Sequence, residues 1–206
     1  MKRKKAGEYT EVAVDWTRWV YKGGRAQRLF TFASISMLQS GKRTPLMRLL
    51  IGPQDQSADI LKQLLQHISK NYTIQRVYID RFFFTSEALK VLHSLHLKYI
   101  IPCPHYSKIQ QIIDVSPAPC IIKNIPYKDT KFNLIIAAYK NKRGNIVKKT
   151  LATNEDINET DIDAINEKFS HNSIHWEIKV SFESIKNSTI TTNDFDYFYS
   201  TIMPIK

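Results

Sequence analysis

Three β-prone segments follow one another before any helix is encoded, and this order limits the folds open to the chain more than any other feature. Residues 11–17 (EVAVDWT) alternate apolar and polar side chains, 29–38 (LFTFASISML) form an apolar β-prone run, and 45–51 (PLMRLLI) repeat that character. Gly23-Gly24 and Ser40-Gly41 supply the turns between them. The period then changes. In SADILKQLLQHISKNY, the residues Ile60, Leu61, Leu64, Leu65 and Ile68 fall on one helical stripe behind Ser57, which reads as the N-cap. TIQRVYID (73–80) reads as a buried strand, a Ser86-capped helix carries Leu89, Leu92 and Leu95, and KYIIP (98–102) is the next strand.

A meander of three strands followed by strands alternating with helices is the order of a ribonuclease-H-like α/β fold, a mixed sheet flanked by helices. Residues 103–128 then contain several prolines and a short helical piece, YSKIQQIID. FNLIIAAY and NIVKKTLAT flank the turn signal Asn141-Lys142-Arg143-Gly144, so a β-hairpin insertion is expected within about 120–154. From Thr160 to about Lys186 the pattern turns helical again, with Ile178, Phe182 and Ile185 on one stripe of the last long helix. With 206 residues, 43% of them hydrophobic, the chain suits one core: a single domain over 11–206 behind a basic tail, 1–10.

Charge narrows the partners. Thirty Lys+Arg against 19 Asp+Glu give a net charge of +11, and residues 1–50 alone hold 11 basic against 3 acidic side chains. This front-loaded excess favours a polyanion, nucleic acid before a membrane surface. Lys2, Arg3, Lys4 and Lys5 read as a solvated tail. No stretch approaches the roughly 20 apolar residues of a membrane span, and the N-terminus lacks a secretory apolar segment. A soluble cytoplasmic protein is expected, nucleoid-associated if it binds DNA. Cys103 and Cys120 read as reduced structural thiols, and His93 and His96, three apart on a predicted helix, lack a third ligand, so no zinc site is expected.

Two carboxylates could carry chemistry. Asp15 lies near the end of the first strand and Asp80 closes the fourth, and neighbouring strands would bring them to one sheet edge. Paired hard carboxylates suit Mg²⁺ or Mn²⁺, which retain waters and bridge phosphate oxygens. A lone Asp at a strand end more often caps a turn. Here both follow a β-prone, largely apolar run (VAVD, VYID), and both precede a large side chain.

The segments VAVDWT, VYIDRFFFT with its following helix, YIIPCP, LATNED and the late W-x-I-x-x-x-F-x-x-I-K before TITT closely resemble archaeal-type insertion-sequence transposases of the DDE superfamily. The resemblance runs from about residue 11 to 200, and DRFFFTSEALKVLHSLHLKYIIP is its strongest piece. It implies that Asp15 and Asp80 are the first two catalytic, metal-binding acids, that DNA is the partner, and that the ancestral reaction is metal-dependent strand cleavage and transfer. The family's third acid sits on the late helix in the pattern Y, two residues, R, three residues, E, six residues, K. Aligned on Trp176, Ile178, Phe182 and Lys186, these positions hold Asn172, His175, Lys179 and Lys186. Lys186 alone agrees, at a position that contacts DNA phosphate in the family.

Lys179 in place of the glutamate implies an ammonium that pairs with Asp15 and Asp80 instead of metal. Glu183 lies one turn further along the same face, displaced by about 6 Å, and Glu177 points to a different face; these are the substitutes. Arg81, Lys179 and the Trp16-Trp19 pair are further DNA-contact candidates, whereas Phe82 to Phe84 read as packing after a buried strand. The family carries a DNA-recognition segment before its first aspartate and a long apolar helix after its Thr-Thr motif. Fourteen residues precede Asp15 and the chain stops at Lys206, so a gene fragment is expected. The expected function is a transposase-derived DNA-processing domain with impaired catalysis. The alternative is a non-catalytic DNA-binding protein that competes with an intact transposase for DNA or for a dimer partner. A third is a working nuclease that uses Asp15, Asp80 and Glu183.

Overall fold

The computed structural model describes residues 9–23, 26–39, 42–140, 143 and 145–157. The expected meander is present as β1 (Tyr9–Gly23), β2 (Ala26–Gln39) and β3 (Lys42–Ile51). β1 and β2 pair antiparallel from Glu11↔Leu38 to Gly23↔Ala26, well beyond the residues whose alternation announces a strand. Past Thr17 the apolar alternation fades, and cross-strand hydrogen bonds sustain the ladder.

The chain then forms α1 (Ser57–Ser69), β4 (Thr73–Ile79), a 3₁₀ turn (Arg81–Phe83), α2 (Ser86–Ser94), β5 (Tyr99–Pro102) and α3 (Ser107–Val115). Three further strands, β6 (Cys120–Tyr127), β7 (Thr130–Lys140) and β8 (Ile146–Thr153), complete one eight-stranded sheet of order β3-β2-β1-β4-β5-β8-β7-β6. β1, β4 and β5 are mutually parallel neighbours, while β2, β3 and the β8-β7-β6 run are antiparallel to the strands beside them.

Three sequence expectations shift. The hairpin β7-β8 is present, yet it is not an insertion set on the fold: β8 pairs with β5 through Ile100↔Thr153 to Pro102↔Leu151 and continues the main sheet, with β6 as a third strand. The exposed edge of β5 is thereby hydrogen-bonded. Both helix caps lie one residue earlier than read. Gln56 precedes α1 without a side-chain cap, and Thr85 Oγ1, rather than Ser86, accepts from Ala88 N at 3.1 Å. α2 ends at Ser94, so His96 is past the helix at φ 53°, and the two histidines do not share a helical face. The His93 ring lies 3.4 Å from both Tyr99 OH and Thr130 Oγ1. The expected late helix, 160–186, lies outside the described residues, as does the basic tail.

Helical periodicity decides the core. Ile60, Leu61, Leu64, Leu65 and Ile68 of α1, Leu89 and Leu92 of α2 and Ile109 and Ile113 of α3 all bury against Val12, Val14, Ile35, Val77, Ile79 and Ile101 on one face of the sheet. Each such side chain contributes about 1.5–3 kcal/mol of apolar burial. The opposite face carries a smaller cluster, Ala13, Tyr78, Ile100, Ile121, Ile135, Ala137, Leu151 and Ile157. No described helix is long and apolar enough to cross a membrane.

On this second face a polar network joins three parts of the chain. Arg76 Nε and Nη2 donate to the two carboxylate oxygens of Glu155 at 2.8 and 3.0 Å, and Nη1 donates to Glu11 Oε1 at 2.7 Å and to Tyr78 OH at 3.2 Å. Burial works against the guanidinium's charge, but its bonds to Glu155 and Tyr78 outweigh burial and hold Arg76 above its ordinary value. Arg76→Ala leaves two carboxylates without their cation and should lower stability by about 3 kcal/mol in urea unfolding; a loss within 0.5 kcal/mol, about the scale of an ordinary surface substitution, would show the network to be ornamental. Burial also pushes the Cys103 thiol up to about 12. At pH 8, Cys103 should therefore resist iodoacetamide in the native protein and react on unfolding, read by peptide mass mapping.

Candidate active site

The parallel ladder between β1 and β4 ends with Val14 opposite Ile79, and Asp80 N donates to Val14 O at 2.9 Å. Asp15 and Asp80 are the next residues on each chain. Strand spacing holds their backbones about 4.8 Å apart. Both are buried, with relative exposures of 1% and 6%. Thus the structure brings together the two acids that the sequence singles out.

Each carboxylate is oriented by the backbone that follows it. Asp15 Oδ1 accepts from Trp16 N at 3.0 Å, and Asp80 Oδ1 accepts from Phe82 N at 2.9 Å as the cap of the 3₁₀ turn. The turn-capping role expected of a lone strand-end Asp is therefore real for Asp80, and it coexists with pairing to Asp15. The aromatic residues that supply these N–H groups also meet: the rings of Trp16 and Phe82 stack with centroids 3.8 Å apart at 20°. Phe83 packs edge-on to both, at 5.6 and 6.0 Å.

The expectation that Phe82 to Phe84 all serve as packing needs one correction. Phe83 and Phe84 are buried, but Phe82 is 43% exposed. The 3₁₀ turn rotates successive side chains by about a third of a turn, which sends Phe83 inward and leaves one face of Phe82 to solvent. Trp16 Nε1 is buried without a hydrogen-bond partner among the described residues; a buried unsatisfied donor costs about 1–3 kcal/mol relative to a satisfied one. Arg81, between Asp80 and Phe82, is exposed, and so is Arg18 on β1.

Cross-strand register adds residues that no sequence motif marks. Ser34 lies opposite Asp15, and Arg48 lies opposite Ser34, so the three share the second face of the sheet. Arg43, also on β3, is close enough to feel the charge of Asp15. Burial lowers its pKa, Asp15 opposes that effect, and Arg48 adds to it. By register it is Arg48, not Arg43, that lies level with Asp15 on β3; Arg43 lies level with Glu11. Lys179, Glu183, Glu177 and Lys186 lie outside the described residues, as do Asn172, His175, Trp176 and the Trp19 side chain.

The LATNED segment is structural. Asn154 bridges the start of β5, donating to Leu97 O at 2.9 Å and accepting from Tyr99 N at 3.2 Å. Glu155 is held by Arg76 opposite Glu11, four residues and about 13 Å back along the strands from the aspartate pair. Among the described residues no group of three or more His, Cys, Asp or Glu side chains could hold a metal ion.

No protein-family model matches this sequence, and no curated protein matches it. Among solved structures the chain is similar to the NurA nuclease from Sulfolobus solfataricus, at 12% identity and a TM-score of 0.40, covering 76% of this chain and 71% of that one. It is similar also to endonuclease V of Ciona intestinalis, solved with a 24mer DNA containing an inosine followed by a ribo-adenosine, at 10% identity, TM-score 0.35 and 70% coverage of each chain. Endonuclease V of Bacillus subtilis gives 11% identity, TM-score 0.37, and coverage of 73% and 67%. Such TM-scores mark loose overlays, so the functional reading rests on this chain's own site.

The capping geometry makes a specific demand on Asp80. Asp80→Asn retains an acceptor oxygen for Phe82 N, whereas Asp80→Ala does not, so urea unfolding should find the alanine variant less stable than the asparagine variant by about 1 kcal/mol. Equal stabilities would mean that the cap does not orient the carboxylate.

Proposed function

We propose that this chain is a ribonuclease-H-like nucleic-acid-processing domain of DDE-transposase descent, in which Asp15 and Asp80 bind Mg²⁺ or Mn²⁺ for phosphodiester cleavage and strand transfer. The observation that carries the reading is the pair of buried carboxylates at adjacent ends of parallel strands, each aimed by a backbone N–H. The sheet order β3-β2-β1-β4-β5, with β1, β4 and β5 parallel, agrees with a ribonuclease-H-like core.

The donor set fits a hard divalent cation, because two carboxylates leave coordination positions for water and phosphate oxygens. When bound, such an ion polarises a phosphoryl oxygen and makes a water or a 3′ hydroxyl a better nucleophile. The protein's part is to hold the two carboxylates in place before substrate arrives, so that no reorganisation is needed at the moment of reaction. The net charge of +11, together with exposed Arg81 next to Asp80 in the chain and exposed Arg18 on β1, draws the phosphate backbone to this edge. Lys186 serves as a further phosphate contact in this reading. Lys179 in the place of the third acid weakens catalysis, with Glu183 or Glu177 as the substitutes.

Arg43 favours a second reading. Its charge acts on Asp15, as a metal ion's would, which suits a domain that binds DNA without cutting it.

Supercoiled plasmid incubated with Mn²⁺, alongside calorimetric Mn²⁺ titration, separates the two. The catalytic reading expects metal binding and slow nicking, both lost in Asp15→Ala and Asp80→Ala while salt-dependent DNA binding remains. DNA binding with neither nicking nor Mn²⁺ uptake in the parent protein would establish the non-catalytic reading instead.

A further inference from the structure

The exposed large apolar side chains among the described residues are Leu50, Phe82, Tyr106, Val115 and Ile146. Phe82 alone of these is tied to the aspartate pair. Its backbone N–H donates to Asp80 Oδ1, and its ring lies flat on Trp16, whose own N–H donates to Asp15 Oδ1. The two residues whose backbones orient the carboxylates are thus the same two whose rings stack. Phe83, fully buried and edge-on to both rings, supports the stack from below.

Phe82 is 43% exposed, so part of its ring is accessible to a ligand. The chemistry around it selects the occupant. Arg81 directly precedes Phe82, and Arg18 follows Trp16 by two residues on the same face of β1; both are exposed. A flat apolar face with exposed arginines nearby in the chain is complementary to a flat base carried on a phosphate backbone, and a stacked base needs no particular sequence because every base has a π-face. A base inside a duplex has both faces covered by its neighbours. Only an unpaired or displaced base can lie on Phe82.

We propose that Phe82, backed by Trp16, is a stacking platform for an unpaired nucleobase beside the Asp15–Asp80 pair, so that the site takes single-stranded or locally unpaired nucleic acid. This rests on the reading that the aspartate edge meets nucleic acid, and it names the substrate class. Phe82 acts as a binding residue; its ring touches the base next to the reacting phosphate.

The test compares a fluorescein-labelled oligothymidylate with its oligodeoxyadenylate duplex, by anisotropy, on the full chain. Phe82→Leu keeps apolar bulk without a π-face, Phe82→Ala removes both, and Phe82→Trp restores the ring. Both non-aromatic variants should bind the single strand about tenfold more weakly, with duplex affinity unchanged and Phe82→Trp at parental affinity. Trp16 emission should be quenched by the oligothymidylate in the parent protein and less so in Phe82→Leu. Equal weakening on both DNA forms, full retention by Phe82→Leu, or no single-strand binding by the parent chain overturns the proposal. Circular dichroism excludes misfolding, and Mn²⁺ titration of the same variants keeps the two readings apart. Ring-dependent binding with no Mn²⁺ uptake leaves the platform standing and removes catalysis, whereas Mn²⁺ uptake with ring-independent binding does the reverse.

Discussion

The parallel ladder between β1 and β4 is the interaction on which the remainder of the structure depends. It joins the antiparallel meander to the α/β half of the sheet, and its two strands carry Val12, Val14, Val77 and Ile79 into the core beneath α1 and α2. Its register also puts Asp15 beside Asp80. A slip of one residue would turn Asp15 into the apolar core and Val14 to the other face, so the hydrophobic pattern that stabilises the ladder also holds the carboxylates in place. Stability and site geometry are in this sense one constraint.

Placing two carboxylates together, out of water, is costly unless the surroundings compensate. Backbone N–H groups from Trp16 and Phe82 compensate in part, and the charge of Arg43 does so from β3. The stack of Trp16 on Phe82 joins the two donor residues through their side chains. An aspartate followed one or two residues later by an aromatic residue, where each of two adjacent parallel strands leaves their shared ladder, thus gives a preorganised edge from short sequence segments.

Much of the fold was legible beforehand. The α1 stripe reads directly as burial because a helix shows one face to the sheet, and all five of its predicted positions are buried. The three-strand meander and the β7-β8 hairpin followed from alternation and turn residues. Strand ends were less legible: β1 runs from Tyr9 to Gly23 because β2 supplies a partner along its length, and a partner has no signature within the strand itself. The same reason explains why the β7-β8 hairpin read as an insertion. Nothing in NIVKKTLAT says that Leu151 to Thr153 will complete the ladder of β5.

By itself the sequence determined the order of elements, the faces of the helices and the pairing of Asp15 with Asp80, because each follows from local periodicity and from the rule that neighbouring parallel strands end together. Only the tertiary structure decided that Ser34 and Arg48 lie level with Asp15, that Glu155 is taken by Arg76, and that Phe82 turns one face outward while Phe83 turns in. These depend on cross-strand register and on the rotation of a single 3₁₀ turn. Both are set by contacts between segments far apart in the chain or by a turn too short to leave a periodic signal.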